Sequence, residues 1–148
     1  MVQEIEKEKE RIIQAIYSGR SIQNALIEEY SAVDNEIFQI EQALQTIDYF
    51  EKSSEEIEAF LPIANHAFIP ATVKNPDKVT VAVSKDVLVE TSPNEAKRIL
   101  AKRKERLEKT AQEIEKSLKD LNAQIESLVE RYKLLENKDN IRRSPKPT

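Results

Sequence analysis

Cysteine and tryptophan are absent from this 148-residue chain, glycine occurs once, and aromatic residues make up only 5% of it. Without cysteine there is no disulfide framework, no thiolate metal site and no thiol nucleophile. With one glycine, a compact fold rich in tight turns is disfavoured, because positive φ angles would fall to residues that pay for them sterically. No run approaches the ~20 apolar residues that cross a bilayer, and the first ten residues, Met-Val-Gln-Glu-Ile-Glu-Lys-Glu-Lys-Glu, lack the apolar core of a secretory signal. A cytoplasmic protein with no membrane partner is expected. Charge of one sign is also lacking: the net charge is −4 with both signs well mixed, unlike the concentrated basic face of a nucleic-acid binder, so no specific nucleic-acid partner is expected.

What is present is 39% hydrophobic and 34% charged residue content, the bias of extended helical proteins. One register of alternating four- and three-residue steps fits Ile5, Lys9, Ile12, Ile16, Gly19, Gln23, Leu26, Tyr30, Val33, Ile37, Ile40, Leu44 and Ile47. That is a heptad seam. The first proline is Pro62, so the pattern predicts one helix over about 3–52, roughly 75 Å long. A second seam through Leu100, Leu107, Ala111, Ile114, Leu118, Leu121, Ile125, Leu128, Tyr132 and Leu135 predicts a helix over about 93–137. Ser92-Pro93-Asn94-Glu95 opens it with the pattern of a capping box and a proline where no donor is missed. The basic, proline-containing end, about 138–148 with Arg142, Arg143 and Lys146, reads as a disordered, solvated tail.

Between the helices the period changes to two. Val79, Val81 and Val83 alternate with Lys78, Thr80 and Ala82, then Ser84-Lys85-Asp86 turns into Val87–Thr91. Upstream, Ala59–Ile63 and Ala67–Val73 flank a turn near Asn65 and His66, with Asn75-Pro76-Asp77 joining the pairs. Two hairpins are expected over about 58–91, Pro62 and Pro70 restricting the first to edge or bulge positions. The fold class is therefore mainly α with a small β insertion: a long antiparallel coiled-coil hairpin within one domain, 1–148. Residue 52 lies opposite residue 93, so Ile12 is expected near Tyr132 and Leu135, and both chain termini at one end. Lone hairpins do not bury enough surface to be stable in water, and free strand edges recruit partners. Oligomerisation into a β-platform or barrel is expected, through Phe68, Val79, Val81, Val83, Val87 and Val89.

The stretches Phe60-Leu-Pro-Ile63, Ala67-Phe-Ile-Pro-Ala71, Val79-Thr-Val-Ala-Val83 and Val87-Leu-Val-Glu-Thr-Ser-Pro-Asn-Glu-Ala96, in this order between two long helices, resemble the alpha class of prefoldin, the hexameric co-chaperone of archaea and eukaryotes. The resemblance covers essentially residues 1 to 140. It departs where family members place glycines after the first and third strands and this chain has Ala64-Asn65-His66 and Ser84-Lys85-Asp86; a filament-forming gamma-type paralogue shares the layout. The resemblance implies an ATP-independent holdase subunit that binds non-native polypeptides, assembles with beta-type subunits as two alpha with four beta, and delivers clients to a group II chaperonin. The competing reading is a structural coiled-coil scaffold or filament subunit.

No enzyme is expected: there is no Gly-rich phosphate loop or nucleophile elbow, and the single histidine, His66, sits in a turn without partners at ligand spacing. No catalytic, cofactor-binding or metal-ligating residue is assigned. Client-binding candidates are apolar residues near the end that carries the termini: Val2, Ile13, Tyr17, Val129 and Leu134, together with seam residues Ile5, Ile12, Ile16, Leu128, Tyr132 and Leu135. Gly19 and Gln23 occupy seam positions better filled by Leu or Ile, and a mid-helix glycine costs about 1 kcal/mol. That weakness leaves two readings open: a coil that splays there, or a tolerated defect.

Overall fold

Two unbroken heptad patterns without internal proline give two helices of 51 residues each, α1 over Val2–Lys52 and α2 over Pro93–Arg143, separated by strands β1 (Ile57–Ile63), β2 (Ala67–Val73), β3 (Val79–Ser84) and β4 (Val87–Thr91). The computed structural model describes residues 1–53, 55–74, 77–145 and 147. Asn75 and Pro76 of the expected joint between hairpins, and Lys146 of the expected tail, lie outside the described residues. The chain forms two compact units, one of residues 1–33 with 110–148 and one of residues 34–109.

In the first unit the helices run antiparallel. Gln23 donates to Asn122 and Tyr30 donates to Glu115 at 2.8 Å, so a step of seven along α1 is matched by a step of seven back along α2. Every seam position of both helices in this unit is buried or half-buried, with Ile12, Ile114 and Ile125 at the centre. The end of α2 differs from the expectation of a disordered tail from residue 138: the helix continues to Arg143. Asp139, one seam step beyond Leu135, is buried and accepts from Lys9 Nζ at 3.2 Å, and Arg143 lies 3.3 Å from the same carboxylate. Arg143 also reaches Glu6 at 3.0 Å. Two charged seam residues that would each be costly alone therefore meet and carry the coil further, and Arg142 and Arg143 suit the negative end of the helix dipole.

In the second unit the same register is held by charge. Lys97 of α2 reaches Glu51 and Asp48 of α1, and Lys104, seven residues on, reaches Glu41, seven residues back, at 3.1 Å. Hydrogen bonding to Glu51 raises the Lys97 ammonium above its ordinary value, and Glu41 raises Lys104; Lys52, then Lys97, lower the Asp48 carboxyl. At the start of α2 the Ser92 hydroxyl accepts from the Glu95 N–H at 3.2 Å, as a cap should. The Glu95 carboxylate turns to Arg98 instead of closing the box.

Among the described residues the hairpins form two separate two-stranded antiparallel sheets, β1–β2 and β3–β4. Period-two alternation sends Val79 and Val81 of β3 inward, where they border Ala43, Ile47 and Leu100; Val81 is 5% exposed. Arg103 clamps this sheet, donating to the Ala82 carbonyl at 3.3 Å and to Glu36 of α1. Val83 is an extra residue in the ladder, between the pairs Ala82–Leu88 and Ser84–Val87, and such a bulge supplies local twist. The β3–β4 turn thus does without positive φ. The β1–β2 turn does not: Ala64 has φ 52°, a left-handed conformation that costs a side-chain-bearing residue about 1–2 kcal/mol. Ala64→Gly is expected to stabilise the protein by about 1 kcal/mol, read as a higher urea midpoint; an unchanged or lower midpoint would show that the turn carries no such strain.

Candidate functional site

Residues four apart share a helix flank, so Ile13 and Tyr17 project from the same side of α1, just off the seam. In the first unit they line a groove of about 250 Å³ with Ile16 and Arg20 of α1 and Val129 and Tyr132 of α2. Tyr17 is 66% exposed, Ile13 and Val129 are half-buried, and Arg20 supplies the one charge. The Lys9 ammonium stands 6.0 Å from the centre of the Tyr132 ring, so this groove residue lies beside the Lys9–Asp139 pair.

Five of the expected client-contact residues are brought together in this groove: Ile13, Ile16, Tyr17, Val129 and Tyr132. The others fall elsewhere. Ile12 is 4% exposed and belongs to the core, and Ile5 and Leu135 are half-buried in the seam. Leu128 borders a different, charged groove with Glu8, Arg11 and Arg131. Val2 is exposed in the first turn of α1, and Leu134 is exposed on α2. Ile141, seven residues beyond Leu134 and also exposed, escapes the sequence reading because the helix was expected to end before it. The heptad step from Leu134 was the available signal.

The expectation of a weakened seam is also revised. Gly19 is buried, and a β-carbon there would lie 3.1 Å from Ile125 Cγ1. The glycine is the hole into which Ile125 packs, and Gln23 is satisfied by Asn122. The coil is closed at this level.

A second concentration of exposed apolar residues lies on the hairpins. Directly paired residues share a face, so Phe60 with Pro70 and Pro62 with Phe68 form one face of β1–β2, and Leu61 with Ile69 and Ile63 with Ala67 form the other. Both faces near the turn are apolar, and Phe60, Leu61, Ile63, Phe68 and Ile69 are all exposed. On β3–β4, Val83, Val87, Leu88 and Val89 are exposed. Of the expected oligomerisation residues, Phe68, Val83, Val87 and Val89 are therefore on the surface, Val79 is half-buried, and Val81 is a core residue of its own chain. Phe60, Leu61, Ile63, Ile69 and Leu88 were missed. The strands of the first hairpin read as edge pieces around Pro62 and Pro70, with no periodicity to say which face would stay wet, and Leu88 falls on the alternate face from Val87 and Val89 in β4.

His66 is exposed in the β1–β2 turn, and the described residues contain no group of three His, Cys, Asp or Glu that could hold a metal ion. Among them no helix is long and apolar enough to cross a membrane.

Residues 20–135 match the prefoldin subunit family. A prefoldin subunit alpha of Methanosarcina mazei is 34% identical over 97 residues, 64% of this chain and 68% of that protein. A prefoldin subunit alpha of Thermofilum pendens is 26% identical over 114 residues, covering 77% and 86% of the two chains. Among solved structures, a filamentous PFD from Methanocaldococcus jannaschii, determined by cryo-EM, superposes with a TM-score of 0.65 at 22% identity, over 82% of this chain and 98% of that one.

Proposed function

The chain belongs to the prefoldin family of chaperones, and from that premise we propose that it is an ATP-independent holdase subunit that captures non-native polypeptides in the apolar groove of Ile13, Ile16, Tyr17, Val129 and Tyr132. The observation that carries this reading is an open, apolar groove, rimmed by one charge, on a coil whose own seam is already closed. Its off-seam members Ile13, Tyr17 and Val129 gain nothing from water and add nothing to the seam that Ile16 and Tyr132 help to close. A groove of this size holds a few side chains at most, so each contact is weak. Several such grooves on one complex raise avidity while each releases quickly. That requires assembly, which the exposed hairpin faces support: the partners proposed are beta-type subunits, four to two of the alpha type, in the cytoplasm. Delivery of the held client to a group II chaperonin completes the proposal, and the chain itself performs no catalysis in it.

The test uses substitutions that leave the seam alone. Tyr17→Lys with Val129→Lys places two charges in the groove at positions that are exposed or half-buried. The assembled complex is expected to keep its mass and helix content while losing most of its ability to suppress light scattering by a denatured model client. Removing residues 1–18 with 128–148 shortens both helices and takes seam residues with the groove; the truncated chains are expected still to assemble through the hairpins while losing the same protection. Full protection by correctly assembled variants would move client contact away from the groove.

A further inference from the structure

In a chain that is 34% charged, the outward face of α1 in the second unit carries its charges only at its ends, Asp34 and Lys52, both exposed, and none between them. Glu36, Glu41 and Asp48 lie on its flanks and are drawn across to Arg103, Lys104 and Lys97 of α2. Facing away from α2 are Phe38, Gln42, Gln45 and Tyr49, all exposed, with Phe38 at 56% and Tyr49 at 64%. The outward face of α2 in the same unit is the opposite, with Glu105 and Lys109 exposed, and Lys102 and Arg106 on the flank that borders β3. A helix face that meets only water has no reason to shed charge. Loss of charge combined with exposed aromatic rings is the composition of recognition surfaces.

The stripe has a second property. Its steps are four, three and four, the spacing that keeps residues in line for packing against another helix. It also reads the same from either end: aromatic, glutamine, glutamine, aromatic. A two-fold axis across the helix between Gln42 and Gln45 lays the stripe on itself, bringing Phe38 against Tyr49 and Gln42 against Gln45 of a second chain. Such an isologous contact tolerates only groups that suit their own kind. Glutamine does, because its amide both donates and accepts, so the 42–45 pairs are satisfied in both directions. No like charges meet at the axis.

We infer that the stripe Phe38, Gln42, Gln45 and Tyr49 is a self-association surface that takes α1 of a second copy of this chain in antiparallel orientation, distinct from the hairpin faces. The stripe is roughly 17 Å long, well short of the ~1,000 Å² of a stable interface. It therefore acts between chains already gathered by other contacts, or at high protein concentration.

The absence of cysteine makes the test direct. Full-length Gln42→Cys and Gln45→Cys proteins, each with a single thiol, are mixed under mild oxidation. The mixed disulfide dimer is expected severalfold in excess of dimer from either protein alone, and of dimer from Lys109→Cys on the outward face of α2. A Gln42→Glu, Gln45→Glu chain, whose helix content should be unchanged because exposed Glu and Gln are equally good helix formers, is expected to lose homotypic contact and regain it on mixing with Gln42→Lys, Gln45→Lys. Dimers favouring 42–42 or 45–45, or equal yields at the control position, would overturn the antiparallel two-fold. Crosslinking of the stripe to added denatured polypeptide in place of a second chain would make it a client surface and sink the inference.

Discussion

Phe60→Lys combined with Phe68→Lys is expected to leave the helices intact and to reduce the protein in solution to the mass of a single chain. The two rings lie on one face of the first hairpin, paired with Pro70 and Pro62, and are 73% and 64% exposed. Each large ring offers 150–250 Å² of surface, in general terms about the most an aromatic side chain can bury. Aromatic anchors of this kind typically contribute about 2 kcal/mol or more each to an interface, so losing two weakens assembly by roughly a thousandfold. Because neither ring packs inside its own chain, the substitution separates assembly from folding. Val81→Lys would not: Val81 belongs to the chain's own core, and a lysine there would disturb the seat of β3 on the helices. Native mass measurement with circular dichroism on the same sample decides the matter. An unchanged mass would eliminate the first hairpin as an assembly surface.

Ile125→Ala should cost about 3–4 kcal/mol of stability, towards the upper part of the range for removing a buried isoleucine side chain. The reason is its neighbour. Gly19 has no side chain to move into the space, so the cavity left over it cannot collapse without shifting helix backbone. Adding Gly19→Ala to that variant should recover about 1 kcal/mol from helix propensity, and part of the cavity cost as well. Gly19→Ala alone should yield far less, because its β-carbon would stand 3.1 Å from the Ile125 side chain and force it aside. The coupling between the two sites in a double-mutant cycle, measured by denaturant unfolding, is the quantity of interest. Simple additivity would mean that Gly19 is a defect unrelated to Ile125, and the reading of the glycine as a filled hole would fail.

Both expectations rest on things that differ in how far the sequence could supply them. The heptad steps from Ile5 to Ile47 and from Leu100 to Leu135 by themselves determined two long helices and which line of residues each would bury, because a period of 3.5 permits only one face to meet a partner continuously. Alternation at Val79, Val81 and Val83 likewise determined a hairpin, and Ser92 with Pro93 marked where α2 begins. Polar residues on the seam were legible as exceptions but not as pairs. Lys9, Gln23 and Gly19 look like weak points until the fold sets Asp139, Asn122 and Ile125 against them. What compensates each lies about a hundred residues away in sequence, and no local pattern encodes that distance. The same holds at the end of α2, where the seam continues through a charged residue that only Lys9 makes tolerable. Which apolar residues stay uncovered was also a tertiary decision. Strand periodicity says that Val81 and Phe60 point to some face, and only the packing of β3 on the helices and the open sides of β1–β2 show that one is core and the other is left for a partner.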